Sequence, residues 1–305
     1  MVGSIAFDAV KTPFGERERM LGGSAVYFSL AASFFADVRV VGPVGDDFGK
    51  EEQEVLRARG VNTDDIERVP GGKTFFWAGE YGWDLNTRET LDTQLGVFGD
   101  FDPKLSRESR SAETLFLANI QPDLQRRVRE LCDGARLVGL DSMNLWIETA
   151  RESLVETISR VDMVFMNDAE IRQLTEQPNL VRGARAVMDM GPRVVVAKQG
   201  EYGAALFSER GFFALPAYPL ETVIDPTGAG DCFAGGFLGY LGSQGDGATE
   251  DEGELRRAMT YGSVLGSYCV EEFGTERVQR LTREEIDERF ADFKRMTAFE
   301  EVPTG

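Results

Sequence analysis

The most informative stretch of the sequence is Asp225-Pro-Thr-Gly-Ala-Gly-Asp-Cys-Phe-Ala-Gly-Gly-Phe237. It predicts a turn of small residues after a strand-like segment, 220–224, and a helix that begins at once near Gly228. The amides of Gly228, Ala229 and Gly230 would then lie at the helix N-terminus, where unpaired N–H groups and the positive end of the helix dipole attract anions. The stretch therefore predicts an anion site.

Two carboxylates, Asp225 and Asp231, flank these amides. Asp231 falls in the first helical turn, where it either caps the helix or accepts a proton from a reacting group. The chain contains no histidine, which excludes histidine triads, histidine metal sites and imidazole proton shuttles. A general base must therefore be Asp, Glu, Lys, Tyr or Cys, and Asp231 is the candidate.

The chain lacks the two commonest nucleotide-binding patterns. The string nearest to the phosphate loop GxxxxGK[ST] is Gly45–Glu51, which has the wrong spacing and no hydroxyl after Lys50. Phe233 stands where the third glycine of GxGxxG would be. Neither a P-loop NTPase nor a Rossmann dinucleotide-binding protein is supported.

Composition favours one large domain, with an inserted subdomain as a variant. The 305 residues are 42% hydrophobic and 28% charged, which suits a full core and excludes a disordered chain. The formal net charge of −19 argues against nucleic acid as a partner, because phosphate contacts need a positive surface. Either a salt-loving source or a plainly solvated surface explains the excess of acidic residues.

Three features predict a cytoplasmic protein. The cysteines, Cys132, Cys232 and Cys269, form no CxxC pair and are too few for a disulfide framework. No apolar run reaches the roughly 18 residues of a membrane span. Residues 1–4 do not resemble the start of a signal peptide. We therefore expect a reducing compartment and no membrane partner.

Strand and helix patterns alternate along the chain. Strands are predicted at 2–8, 38–44, 114–118, 137–140, 163–166 and 194–198, and helices at 22–35, 47–59, 123–132, 146–159, 228–241, 252–270 and 283–296. The continuous run Val194–Val196 is typical of a central strand that is buried on both faces. The alternation predicts an α/β fold, a doubly wound and mostly parallel sheet with helices on both faces.

The alternation breaks at residues 73–98. Two extended segments there flank a turn-rich connection, Gly82–Asn86. A two-stranded ribbon is marginal alone and must pack on something. We therefore expect a β lid flap at 73–98, extended in one variant by 9–21, beside an α/β core of residues 1–72 and 99–305. An ordinary edge hairpin is the alternative.

Four motifs resemble signatures of the PfkB carbohydrate kinases, the ribokinase-like kinases, in the order of that family. They are Leu21–Ala25 with Val41–Gly49, Asn167–Glu170, Lys198–Gly203, and Asp225–Asp231 with Ala234–Phe237. The resemblance implies a ribokinase-like fold and ATP-dependent phosphorylation of a hydroxyl group on a sugar or sugar-like molecule. A nucleoside kinase of the same family and a non-catalytic, ligand-sensing homologue are the alternatives.

The resemblance also implies a role for each matched residue. Asp231 would be the general base, and the amides of Gly228, Ala229 and Gly230 would hold the transferring phosphate. The residues that would bind the nucleotide are Asn167, Lys198, Gly200, Gly203, Gly228 and Gly230.

Two cation sites follow from the same resemblance. Asn167 and Glu170 would organise Mg²⁺ through its waters, although their spacing also forms a helix capping box, and both roles can coexist. Asp225 and Thr227, with Gly274, would line a site for a monovalent cation such as K⁺, for which a structural turn is the alternative. ATP and Mg²⁺ are the expected cofactors, with K⁺ as a further candidate.

On the substrate side, Asp8 matches the aspartate that binds sugar hydroxyls, and Gly22 and Gly23 match the paired glycines beside it. The sequence then departs from the ribokinase pattern, because Ala6 replaces an asparagine, and Ser24 and Tyr27 replace the lysine and asparagine of GGKxxN. The loss of these polar groups should weaken recognition of ribose.

A bulkier acceptor such as a nucleoside is compatible with the aromatic residues of this region. Tyr27 and the flap residues 75–77 could stack on a base, although strand alternation turns only half of the flap residues inward. Asn119, Asp141 and Asn144 follow predicted strands and could add polar contacts. The expected partner is a small-molecule sugar or nucleoside, and a homodimer that shares flap edges would cover exposed strands.

Overall fold

The structure is a computed structural model, and it describes residues 1–299. Its strands are β1 (Ala6–Thr12), β2 (Gly15–Gly22), β3 (Gly42–Val44), β4 (Ile66–Arg68), β5 (Phe75–Tyr81), β6 (Arg88–Gln94), β7 (Thr114–Leu117), β8 (Leu137–Asp141), β9 (Met163–Asn167), β10 (Val194–Lys198), β11 (Ala204–Ser208) and β12 (Gly211–Leu215). Its α-helices are α1 (Ser24–Ala32), α2 (Lys50–Arg57), α3 (Arg107–Arg110), α4 (Pro122–Leu131), α5 (Asn144–Thr149), α6 (Arg151–Ile158), α7 (Asp168–Thr175), α8 (Leu180–Met188), α9 (Ala229–Ser243), α10 (Glu252–Cys269), α11 (Glu276–Arg280) and α12 (Arg283–Thr297).

The main sheet has the strand order β12-β11-β10-β9-β8-β7. Strands β7 to β10 are parallel, and β11 and β12 continue the sheet antiparallel. Parallel bridges from Val2 to Val41 and to Leu117 join the pair β3-β4 to the β7 edge. The prediction of a mostly parallel sheet is confirmed.

Strands β7 to β11 of the main sheet send alternate side chains to two separate cores, as the period of two in a strand requires. Val194 and Val196 belong to a core that includes residues of α1, α9 and α10, whereas Val195 belongs to a core that includes residues of α4, α7 and α8. Helices therefore cover both faces, and the doubly wound architecture is confirmed. The run Val194–Val196 is fully buried, as a central strand should be.

A second sheet has the strand order β2-β1-β5-β6, with β1 and β5 parallel and the outer pairs antiparallel. One prediction on its first strands was wrong: the strand predicted at 2–8 is divided, since Val2 bridges to the main sheet while 6–12 belong to the second sheet. The residues before α1 form β2, which pairs with β1 in the same sheet as the flap strands β5 and β6, and its residues 15–19 are exposed and show no alternation.

Three other predicted elements differ from the structure. Residues 220–224 form no strand, because the Ile224 amide donates to the carbonyl of Val270 at the end of α10 (2.8 Å) and not to a neighbouring strand. The helix predicted at 146–159 is two helices, α5 and α6, with a non-helical backbone at Ala150 between them. Only 42–44 of the segment predicted at 38–44 belong to a strand, β3.

Close packing of α9 against α1 fixes the position of the α9 N-terminus. A Cβ atom at Gly235 would lie 2.5 Å from the carbonyl oxygen of Phe28 and 2.8 Å from Cβ of Ala31. One at Gly239 would lie 3.0 Å from Cα of Ala32. Glycine at these two positions therefore lets the two helix backbones approach.

In the part of the chain that the structure describes, no helix combines the length and the apolarity that crossing a bilayer requires.

We expect Gly235→Ala to lower the melting temperature, although alanine stabilises an unobstructed helix relative to glycine. The added methyl group meets the α1 backbone, and overpacking of this kind costs about 1–3 kcal/mol. Gly134→Ala is the control, because a Cβ atom there would have no neighbour within 4 Å. Thermal unfolding measures both variants, and an unchanged or raised melting temperature for Gly235→Ala would contradict the packing described.

Candidate active site

The N-terminus of α9 presents free amides at the carboxyl ends of the strands of the main sheet. The residue before the helix, Gly228, has a φ of 77°, a left-handed conformation that glycine adopts without strain. Among residues 1–299, no backbone carbonyl accepts from the amides of Gly228, Gly230 or Asp231, whereas the Ala229 amide donates to the carbonyl of Pro226 (3.3 Å). We call residues 228–231 the amide cradle. They form the type of helix start that binds anions.

Asp231 lies in the first turn of α9, partly buried beside the amide cradle. Burial and the negative charge of Asp141 raise the pKa of Asp231 to about 7, and the ammonium of Lys198 acts in the opposite direction. A carboxylate with a pKa near neutrality can accept a proton from a reacting hydroxyl group. This placement is compatible with the general base predicted from the sequence.

A buried ion pair lies next to the cradle. Lys198 at the end of β10 and Asp141 at the end of β8 are 2.7 Å apart, with side chains 19% and 8% exposed. Nζ of Lys198 lies 3.0 Å from the position of a Cβ atom at Gly230, so the ammonium touches the cradle. Burial alone would lower the pKa of Lys198, but the charges of Asp141 and Glu170 raise it, and the side chain stays protonated.

Asn167 and Glu170 form the capping box of α7. The Glu170 amide donates to Oδ1 of Asn167, and the Asn167 amide donates to Oε2 of Glu170, each at 2.8 Å. Burial, followed by the charge of Asp141, raises the pKa of Glu170 to about 7. Asn167 and Glu170 therefore cap α7, and the capping hydrogen bond uses only one of the two carboxylate oxygens of Glu170.

Asp8 lies on β1 with 4% of its surface exposed. Its carboxylate approaches Gly22 so closely that a Cβ atom there would lie 1.9 Å from Oδ2. Burial and the charge of Asp225 raise the pKa of Asp8 to about 7, while a hydrogen bond from the Gly23 amide acts to lower it. Glycine at position 22 therefore leaves room for the Asp8 carboxylate, and a substrate contact of Gly22 and Gly23 stays a prediction.

Tyr27 does not lie where stacking on a ligand is feasible. It is 1% exposed, and its ring contacts the backbone of Gly228, where a Cβ atom would lie 2.4 Å from the ring. Its hydroxyl group has no hydrogen-bond partner among the described residues. The expectation that this ring stacks on a base is corrected, because the ring packs beneath the amide cradle.

The flap aromatics separate, as strand alternation requires. Trp77 is the register partner of Asp8, so the two side chains share one face of the sheet, and the indole lies across Gly79. Phe76 lies on the other face, and Phe75 stacks on Phe98 with ring centroids 5.5 Å apart. Of the flap residues 75–77, Trp77 is the one beside the candidate acceptor aspartate.

Asn119 follows β7, and its amide group is engaged by neighbouring side chains. Its Oδ1 accepts from Nε1 of Trp146 (2.8 Å), and its Nδ2 lies 3.0 Å from the sulfur of Met143. Asn144 starts α5 and is exposed. A substrate role for either asparagine stays a prediction.

The tip of the second sheet contacts the α/β core at two places. The Thr227 hydroxyl donates to the hydroxyl of Tyr81 (3.1 Å). Nδ2 of Asn86 donates to Glu201 (3.0 Å), within the loop 200–203 that was predicted to bind the nucleotide. The loop includes Gly200 and Gly203, and the sheet tip therefore lies against both the turn before the cradle and this loop.

Asp225 links the turn before the cradle to the loop at Gly274. It is fully buried, and its two oxygens accept from the amides of Thr227 and Gly274, each at 2.9 Å. Burial raises the pKa of Asp225, although these two hydrogen bonds act to lower it. No lysine or arginine among residues 1–299 pairs with this carboxylate.

The ion pair of Asp141 with Lys198 was not predicted from the sequence. Asp141 was expected only as a polar contact, and nothing local in the sequence indicates that the ends of β8 and β10 meet. Only the order of strands in the sheet could have indicated it.

A cavity of about 660 Å³ lies at the amino end of β7, away from the candidate active site, and is lined in part by Met1, Arg39 and Thr114.

Known proteins resemble this chain in sequence. The family profile described as pfkB family carbohydrate kinase matches residues 8–280. A cytidine kinase from Thermococcus kodakarensis is 32% identical over 248 residues, which cover 79% of this chain and 87% of the relative.

Two solved structures have the same fold. The nucleoside kinase of Burkholderia thailandensis in complex with inosine has a TM-score of 0.77 at 22% identity and covers 95% of this chain and 96% of its own. The Arabidopsis thaliana ribokinase with ribose and ATP has a TM-score of 0.75 at 20% identity and covers 95% and 97%.

We expect Asp231→Asn to raise the melting temperature at pH 8. The pKa of Asp231 is about 7 in the folded chain and about 4 in an unfolded one, so the folded state loses stability as pH rises from 4 to 7. Asparagine carries no charge and avoids this loss, so the difference between the variant and the wild type should shrink toward pH 4.5.

The measurement is the melting temperature of both proteins from pH 4.5 to pH 8, with Asp133→Asn as a control on an exposed carboxylate. Identical pH dependence for Asp231→Asn and the wild type would show that Asp231 does not hold a proton in the folded state.

Proposed function

The chain belongs to the pfkB family of carbohydrate kinases, and from this premise we propose that it transfers the terminal phosphoryl group of ATP to a hydroxyl group of a nucleoside. Membership of the family makes the protein a phosphotransferase that acts on a sugar or nucleoside hydroxyl group. The observation that carries the proposal is the position of Asp231 beside the amide cradle, with Lys198 against the same backbone.

The proposed chemistry uses residues of this chain for proton transfer and charge neutralisation, which phosphoryl transfer mainly requires. Asp231 takes the proton of the acceptor hydroxyl as its oxygen attacks phosphorus. The amides of Gly228, Gly230 and Asp231 donate to the oxygens of the transferring group, and Lys198 adds a positive charge. The near-neutral pKa of Asp231 supports this role.

The donor side is proposed to take ATP with Mg²⁺. Among residues 1–299, no three His, Cys, Asp or Glu side chains form a cage for a metal ion. The nearby groups are oxygen donors, Asp141, Glu170 and Asn167, and they fit Mg²⁺ that keeps most of its waters. When bound, this ion neutralises charge on the phosphates. ATP in the similarly folded Arabidopsis ribokinase supports the choice of donor.

We also propose a K⁺ site lined by Asp225, Thr227 and Gly274. The fully buried carboxylate of Asp225 has amide donors but, among the described residues, no cationic side chain paired with it, which fits a weakly hydrated monovalent cation. Such a cation would stabilise the turn that leads into the amide cradle.

The acceptor is proposed to lie between Asp8 and Trp77. The buried carboxylate can bind ribose hydroxyls, and the indole on the same face of the sheet offers a flat apolar surface to a base. The cytidine kinase relative and the inosine bound by the Burkholderia enzyme support a nucleoside over a free sugar.

The proposal also includes a homodimer and a reducing compartment. Strand β6 is exposed along its whole length and lies at a sheet edge, so a homodimer that covers this edge would protect it. Three free, buried cysteines are compatible with a reducing compartment such as the cytoplasm.

Asp231→Asn should lower kcat by roughly 10²- to 10⁴-fold, as the loss of a general base does, while ATP binding changes little. Steady-state kinetics and calorimetric titration with ATP measure the two effects. Near-normal turnover in this variant would refute the role of Asp231.

ADP formation should be fastest with a nucleoside when pentoses, hexoses, inositols and nucleosides are compared, and faster in K⁺ than in Na⁺ at equal ionic strength. A preference for a free sugar would contradict the proposed acceptor while leaving the phosphotransferase in place. Equal rates in K⁺ and Na⁺ would contradict the K⁺ site.

A further inference from the structure

The residues between α10 and α11, 270–275, form a loop that holds the turn in front of the amide cradle. The amides of Ile224 and Asp225 donate to the carbonyl of Val270 at 2.8 and 3.4 Å. The amide of Gly274 in turn donates to Oδ2 of Asp225 at 2.9 Å. A shift of this loop would therefore shift the backbone that leads into the cradle.

The same loop contacts the second sheet. Phe273 is 5% exposed and packs in one cluster with Val10 and Tyr81. A Cβ atom at Gly274 would lie only 2.7 Å from the sulfur of Met20 on β2. The position of the loop therefore matters both for the turn before the cradle and for the sheet that lies over it.

Glu271, the second residue of the loop, is held by two arginines from the helices that follow. Its Oε2 accepts from Nε of Arg277 on α11 (2.9 Å), and its Oε1 accepts from Nη2 of Arg289 on α12 (2.6 Å). Both arginine side chains are 12% exposed, and that of Glu271 is 23% exposed. An isolated surface ion pair is worth little, but a carboxylate shared by two largely buried guanidiniums has little freedom to move.

Neighbouring groups fix these two guanidiniums. That of Arg289 lies 3.4 Å from the ring centroid of Tyr268 and that of Arg277 lies 4.6 Å from it, so the ring stabilises both cations. Arg289 also donates to the hydroxyl group of Ser267 (3.0 Å), and Arg277 also donates to Glu285 (2.6 Å). Two arginines and two glutamates balance in charge, so the loss of either carboxylate leaves a largely buried positive charge uncompensated.

We propose that Glu271 is a positioning residue of the phosphotransfer site, which fixes loop 270–275 and, through Asp225, the amide cradle. The inference rests on the proposed function, since the cradle must hold the transferring phosphoryl group. Glu271 acts through the backbone of the loop and not by contact with a substrate. A displacement of about 1 Å at reacting groups can lower a rate about 10²-fold, so a small movement of the loop is sufficient.

Glu285 offers a matched control within the same network. It accepts from Arg277, as Glu271 does, but it lies on α12 and not on the loop. Glutamine at either position removes one carboxylate charge and keeps the size of the side chain. Glutamine also suits the capping box that Glu285 forms with Thr282. If the network were purely structural, Glu271→Gln and Glu285→Gln would behave alike.

The first test is steady-state kinetics with ATP and a nucleoside, at a temperature where thermal unfolding shows every variant to be folded. Glu271→Gln should lower kcat about 10- to 100-fold, whereas Glu285→Gln should stay within about threefold of the wild type. Glu271→Asp keeps the charge but shortens the side chain, and it should retain an intermediate kcat. If Glu271→Gln does not fold, the comparison of Glu271→Asp with Glu285→Asp takes its place.

Hydrogen exchange measured by mass spectrometry reports on the loop without an acceptor. Glu271→Gln should increase exchange in peptides that cover 224–231, where the amides of Ile224, Asp225 and Thr227 are hydrogen-bonded, more than Glu285→Gln does. Peptides from the central strands β9 and β10 should exchange as in the wild type in both variants, which shows that the effect is local.

A kcat of Glu271→Gln within about threefold of the wild type would overturn the inference, as would equal losses of kcat in the two glutamine variants. Equal exchange at 224–231 in these two variants would also overturn it. If the wild type phosphorylates no nucleoside but exchange at 224–231 rises in Glu271→Gln alone, the positioning role stands and the proposed function fails.

Discussion

The carboxylates of the site can lie close together only because the free amides of α9 and the ammonium of Lys198 lie among them. Asp141, Glu170 and Asp231 converge at the carboxyl ends of the central strands and the start of α9. Each buried negative charge is costly unless it is paired or protonated. This cost raises the pKa values of Glu170 and Asp231 to about 7, so Asp231 can accept a proton near neutral pH.

Backbone packing holds this arrangement in place. Gly235 and Gly239 let α9 lie against α1, so the amide cradle is fixed relative to the sheet that carries Lys198 and Asp141. The ring of Tyr27 supports Gly228 from below. The glycines of the signature therefore serve two purposes, since some shape the anion site and others fix the helix that bears it.

The sequence was a good guide wherever one strong pattern acts alone. The apolar run Val194–Val196 predicted a central strand, and the small-residue turn at 225–231 predicted the start of α9. Patterns that depend on tertiary neighbours were missed, since β2 is a polar edge strand and 220–224 pair with the end of α10 instead of a strand. The ion pair of Asp141 with Lys198 and the two arginine contacts of Glu271 depend on strand order and helix packing, which no local pattern encodes.

A crystal structure of the chain with a non-hydrolysable ATP analogue and a nucleoside would locate the terminal phosphate. We expect its oxygens to accept hydrogen bonds from the amides of residues 228–231. We also expect the attacked phosphorus to face the Asp231 carboxylate across the acceptor hydroxyl. A terminal phosphate beyond hydrogen-bond distance of the α9 N-terminus, for example in the cavity at the amino end of β7, would contradict both expectations.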